Sequence, residues 1–212
     1  MKNGVIAWTL LAFLGLGLGT AAAPAAAAQP APSVIPVDGG MTSLRLNDGN
    51  TGKDKDIVAL RARRDNFNAH GFDVVSFYLV GKNGGKREFD IIPIFVEGRK
   101  GRDELHEITV GGGADGNLDD FRVLAAQGKQ PARLVLAHRD FGDSYADPGI
   151  VHFTVYELTR NEMESPGEPG LYFLQKSKAN SRQKYVDVNE AFDRELHMGS
   201  GSGRGNEMRV SE

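Results

Sequence analysis

No cysteine occurs in the 212 residues. That excludes disulfides, cysteine-ligated zinc, iron–sulfur clusters, a thiol nucleophile and a lipidated N-terminal cysteine. Net charge is nearly absent as well: 25 Lys and Arg against 28 Asp and Glu leave −3, which gives no electrostatic reason to bind nucleic acid or an anionic membrane surface. The zinc patterns H-x-H and H-E-x-x-H are missing, and the body has no G-x-S-x-G nucleophile elbow,. The five histidines, at 70, 106, 138, 152 and 197, are scattered singly and read as surface or strand residues. What the chain does have is glycine, 27 residues, nearly twice the usual share of about 7%, which suggests many tight turns and short strands.

The N-terminus has the three-part layout of a secretory signal peptide. Lys2 precedes an apolar run from Val5 to Leu18, followed by the small-residue stretch Thr20 to Ala28 with A-x-A sites,. An uncleaved anchor is the alternative, but the glycines at 15, 17 and 19 and the alanine-rich zone favour removal after Ala28,. The expected organisation is a signal peptide at 1–28, a Pro/Ala linker at 29–33, one globular domain at 34–198 and a Gly/Ser-rich tail at 199–212 that cannot repay its ordering entropy. Without its signal the protein is expected to be periplasmic or secreted and to have no membrane contact.

The body predicts a mainly β fold, an antiparallel sandwich or barrel-like body with a short C-terminal helix. Phe72 to Val80 and Phe89 to Val96 are apolar at nearly every residue, so both faces are expected to be covered, with Asn83-Gly84 as the hairpin turn between them,. Pro93 cannot donate to a ladder and belongs at an edge or bulge. Ile57 to Ala62, Leu105 to Val110, Arg133 to His138, Val151 to Thr159 and Leu171 to Lys176 complete the set. Residues 117–127 fit either a helix capped by Asn117 or a strand pairing with Arg133 to His138, and the hairpin is preferred. In the last segment Asp187 and Glu190 form an acidic helix start, with Phe192 and Leu196 on one face,.

Catalytic-looking strings fail on context. His138-Arg-Asp-Phe-Gly142 overlaps two kinase labels that belong on separate loops of a longer chain,. Ser181-Arg-Gln-Lys184 matches S-x-x-K, but no S-D-N or K-T-G follows, so it reads as a polar loop and no catalytic residue is assigned,. A calcium loop is a weaker possibility. Asp48, Asn50 and Asp56 fit the first, third and ninth places of a D-x-N-x-D-G-x-x-D pattern, with Gly52 and Lys53 where an acid and a glycine belong; the other reading is a polar β-turn,.

Arg64-Asp-Asn-Phe-Asn-Ala-His70, Gly112-Gly-Ala-Asp115 followed by Asp120-Phe-Arg-Val-Leu124, Arg139-Asp-Phe-Gly-Asp143-Ser-Tyr-Ala-Asp147, and Tyr185 followed by Asp187-Val-Asn-Glu-Ala-Phe192 together resemble the carbapenem self-resistance (CarG-like) proteins. The match runs in order through residues 42–197. It implies a small periplasmic homodimer that protects against a carbapenem by binding or shielding, not by hydrolysis. Family members often carry cysteine at the positions of Gly116 and Val186, so the resemblance implies that these two are neighbours in space. A carbapenem offers a carboxylate and a lactam carbonyl, for which arginine and N–H donors are suited. Arg64, Asn66, Asn68, His70 and Arg139 are the expected ligand surface. The alternative function is a periplasmic protein-interaction or calcium-stabilised structural module.

Overall fold

The computed structural model describes residues 33–50, 52–67, 71–98, 101–111, 116–164 and 166–199. The expected signal peptide, the linker up to residue 32, the tail from residue 200, Asn68, His70 and residues 112–115 lie outside them. The strands are β1 (Val34–Ile35), β2 (Gly40–Leu46), β3 (Lys55–Arg64), β4 (Phe72–Asn83), β5 (Lys86–Ile91), β6 (Ile94–Gly98), β7 (Gly101–Leu105), β8 (Ile108–Gly111), β9 (Asp119–Leu124), β10 (Arg133–Arg139), β11 (Gly149–Arg160) and β12 (Leu171–Tyr185), followed by helix α1 (Val188–Leu196). They form one sheet in the order β2-β3-β4-β8-β9-β10-β11-β12-β6-β7, with β1 beside β9 and β5 beside β4. All pairings are antiparallel except β12 with β6.

The sheet curls without closing into a barrel. The Phe77 ring on β4 lies 5.4 Å from that of Phe173 on β12, although those strands stand five places apart in the sheet. Flat, at a spacing of about 4.8 Å, they would be roughly 24 Å apart. The curl encloses the larger apolar cluster, which includes Leu44, Ile57, Val75, Phe77, Ile94, Phe121, Leu134, Tyr156 and Phe173. The two arms are tied at the kink between β5 and β6, where Ile92 N–H donates to Phe77 O at 2.8 Å and Pro93 O accepts from Phe173 N–H at 2.9 Å. Pro93 therefore sits in the break between strands, where no ladder donor is required.

A second cluster lies on the outer face under α1, built from Leu124, Val135, Ala137, Val151, Phe153, Tyr185, Val188, Ala191 and Phe192. The Asp187 side chain starts the helix by accepting from Asn189 N–H at 2.7 Å, and its other oxygen accepts from Asn117 N–H at 3.2 Å,. Arg122, fully buried, fixes the helix to the sheet: it donates to Asn189 Oδ1 at 2.7 Å and lies 4.3 Å from the centre of the Phe192 ring,.

β12 serves both faces because it contains a bulge. Val155 pairs with Ser177 but Tyr156 pairs with Gln175, so Lys176 is extra. Before it, Leu171 and Phe173 face the inner cluster; after it the phase flips, and Lys178 and Asn180 face inward instead,.

The mainly β architecture and the C-terminal helix are as expected, and residues 119–124 form the preferred hairpin with β10. Gly116 and Val186 are indeed neighbours: a Cβ on Gly116 would stand 2.6 Å from the Val186 carbonyl oxygen. Other expectations need correction. The apolar run Phe89 to Val96 splits at Pro93, and β5 is exposed throughout, Phe89 at 48% and Ile91 at 39%, because it packs only along β4. The run Leu105 to Val110 breaks between β7 and β8. The β4–β5 turn is Gly84-Gly85, both at positive φ (57° and 82°) as a two-residue type I′ turn needs,. Ser181 to Lys184 belongs to β12, not to a loop.

Candidate functional site

Four side chains stand in register across four strands at one end of the inner face. Asp119 on β9 pairs with His138 on β10, His138 with His152 on β11, and His152 with Asn180 on β12. They rim a cleft of about 440 Å³ that is also lined by Ile108, Val110, Leu136, Thr154 and Lys178. Ile108 and Val110 belong to the inner apolar cluster and Leu136 packs against it. The cleft thus has an apolar floor and convergent polar walls, the usual make-up of a small-molecule site.

The two histidines are held differently. His138 Nδ1 lies 2.7 Å from Asp119 Oδ1, which fixes the ring through one nitrogen. His152 is held through both: Nδ1 lies 2.8 Å from Asn180 Oδ1 and Nε2 lies 2.9 Å from Asp140 Oδ1. Two acceptors favour the doubly protonated ring: the Asn180 bond is the main cause that raises the His152 pKa above the ordinary 6.5, burial opposes it, and the Asp140 bond and charge add to the rise,. Burial raises the Asp119 carboxyl above its ordinary 3.8, partly offset by His138. With Lys178 the wall offers one fixed cation and one favoured imidazolium, suited to a carboxylate-bearing ligand.

The residues expected from sequence fall elsewhere. Arg64 shares the outward phase of β3, opposite to Ile57 and Ala59, and lies 5.2 Å from the centre of the Phe72 ring. Asn66 sits in the turn after β3, where Asp65 Oδ1 accepts from Phe67 N–H at 2.7 Å. Arg139 is fully buried, in the same phase as Val135 and Ala137, and donates to the carbonyl oxygens of Tyr145 and Asp147. It anchors the loop from Asp140 to Pro148 and is turned away from the cleft. None of these three lines the cleft.

The residues of the expected calcium set have protein partners of their own. Asp56 pairs with Arg45 at 3.1 Å, Asn50 Nδ2 donates to Glu162 at 2.8 Å, and Asp48 Oδ1 accepts from Asn50 N–H at 3.1 Å. The segment forms an asparagine turn, Asn47 Oδ1 accepting from Gly49 N–H at 2.7 Å,. Among the described residues no group of three His, Asp or Glu side chains is placed to hold a metal. The S-x-x-K serine is committed to the strand: Ser181 Oγ accepts from Val151 N–H at 3.0 Å and donates to Gln183 O at 2.6 Å.

The cleft residues do not stand out in the sequence, because 138 and 152 are 14 positions apart and meet only by register. The signal was present: two strands flanking one loop place residues equidistant from its centre opposite each other. No family model matches the chain, and no curated protein matches it. Its fold is similar to that in the crystal structure of CarG, with a TM-score of 0.58 and 19% identity over 79% of this chain and 99% of that chain. The fold implied by the four sequence motifs and the fold of this structure therefore agree.

Proposed function

We propose that the protein is a CarG-like carbapenem-resistance factor that binds the antibiotic in the β8–β12 cleft without hydrolysing it. The observation that carries this reading is the cleft itself, an apolar floor ringed by Lys178, His152, His138 and Asn180, on a fold similar to that of CarG. A carbapenem carboxylate would meet Lys178 and the His152 imidazolium, and its fused rings the floor of Ile108, Val110 and Leu136. Binding without turnover is supported by the one serine of the S-x-x-K string being closed off by its bonds to β11 and β12. A periplasmic or secreted location, implied by the signal-like N-terminus, and a homodimer, implied by the family resemblance, are part of this proposal.

Calorimetry of the protein with a carbapenem, run beside an absorbance trace of the lactam, tests this. Heat with constant absorbance is the expected result, and Lys178→Ala should weaken binding at least tenfold. No heat at millimolar ligand would overturn direct binding, and falling absorbance would overturn the absence of hydrolysis.

An interaction module is the second reading. It is favoured by the aromatic residues exposed at the same end of the sheet: Phe67, 95% exposed, and the Phe141–Tyr145 pair with ring centres 4.6 Å apart,. Its calcium-stabilised form predicts a melting temperature that falls with chelator. The pairing of Asp56 with Arg45 argues for no change.

A further inference from the structure

His152 stands at a junction of three chain segments. It lies on β11, its Nδ1 meets Asn180 on β12, and its Nε2 meets Asp140, the residue that opens the loop between β10 and β11. Regular pairing of β11 with β12 is interrupted between Ile150 and His152, so this side-chain bridge stands where the ladder gives least support. The far end of the loop is secured separately, by Arg139 on the carbonyls of Tyr145 and Asp147 and by Asp147 Oδ2, which accepts from Ser144 N–H at 2.8 Å. The near end, Asp140 to Asp143, is held by the Asp140 backbone bond to Ile150 O, by the contact of the Phe141 ring with that of Tyr145 at 4.6 Å, and by the histidine. Phe141, 54% exposed, lies in that stretch.

An imidazolium donates from both nitrogens, whereas a neutral ring has one donor and one lone pair. Two facing acceptors therefore suit only the charged ring. When the proton leaves, either the Asp140 contact loses its charge assistance or the Asn180 amide must turn to offer its NH₂. The other titratable groups around His152 are His138 opposite it on β10, Asp119 next along on β9, and Lys178 and Lys184 on β12. None of these sits between His152 and its two partners.

We propose that His152 is a proton-operated clasp, which when charged ties the β10–β11 loop to β12 beside the cleft mouth and when neutral releases the near end of that loop. The clasp deepens the cleft reading, since it would regulate entry to the same site, and only that consequence rests on it. The fold raises the His152 pKa through Asn180 first and Asp140 after it. A raised value means that the folded state holds the proton more tightly, so the clasp is complete below the ordinary pKa of about 6.5 and is lost as pH rises through the folded value.

The test needs no ligand. NMR on the full chain would follow the His152 ring and the amide order parameters of residues 140–144 from acid to mildly alkaline pH. The loop should loosen with the midpoint of the His152 ring, Asp140→Asn should lower that midpoint and flatten the loop's response, and His138→Gln should leave the loop's midpoint in place. A loop indifferent to pH while the ring titrates would overturn the clasp, as would a transition seen only in the Asn180 amide. Calorimetry then separates the two proposals. A working clasp without carbapenem binding leaves the clasp and removes the ligand; pH-independent binding with a static loop does the reverse.

Discussion

The same four strands, β9 to β12, present two unlike faces. Under α1, Val135, Ala137, Val151, Phe153 and Phe192 form one apolar cluster, and Arg122, buried on this face together with Asp120 and Arg139, has an acceptor on each nitrogen. One residue away on the chain, His138 and His152 face an open cleft with Asp119, Lys178 and Asn180. Neighbours in sequence thus carry opposite duties. The outer phase supplies burial, worth roughly 25 cal/mol per Å² of apolar surface, and the inner phase at this end supplies chemistry that burial would suppress.

Substitutions should separate the faces. Phe192→Ala opens the helix-side core and should cost about 3–5 kcal/mol; at roughly 2–4 °C per kcal/mol for a body of this size, the melting temperature should drop by about 6–20 °C. Gly116→Ala forces a Cβ against the Val186 carbonyl at 2.6 Å and should cost about 1–3 kcal/mol as the helix approach shifts, measurable by urea unfolding. Asp187→Ala removes the cap of α1 and the Asn117 contact, with an expected loss of about 1 kcal/mol. Lys178→Ala, on the cleft face, should change stability by less than about 0.5 kcal/mol while weakening carbapenem binding. A cleft substitution that destabilised as much as Phe192→Ala would break the division.

Much of the fold was legible in the sequence because buried strands show as runs of branched and aromatic residues: β3, β4, β10 and β11 all do. β12 is legible only to Lys176, since beyond the bulge its exposed positions are mostly polar, among them Lys178, Asn180 and Arg182, and pairing with β11 holds it where hydrophobicity does not. β5 misled in the other direction, its Phe89 and Ile91 being exposed at an edge. The site was less legible. Arg139 has the guanidinium and the loop position of a ligand residue, yet it shares the phase of Val135 and Ala137, which places it inside. Its neighbour His138 reads in the sequence as a lone histidine, and only strand register sets it opposite His152.

Chemical-shift mapping with an added carbapenem tests the division of the two faces most directly, because alternate residues of β10 and β11 report from opposite sides. Side-chain signals of His138, His152 and Asn180 should move in a saturable way while those of Ala137, Val151 and Phe192 stay in place. Saturable shifts confined to the α1 side, or no shifts at millimolar ligand, would contradict it.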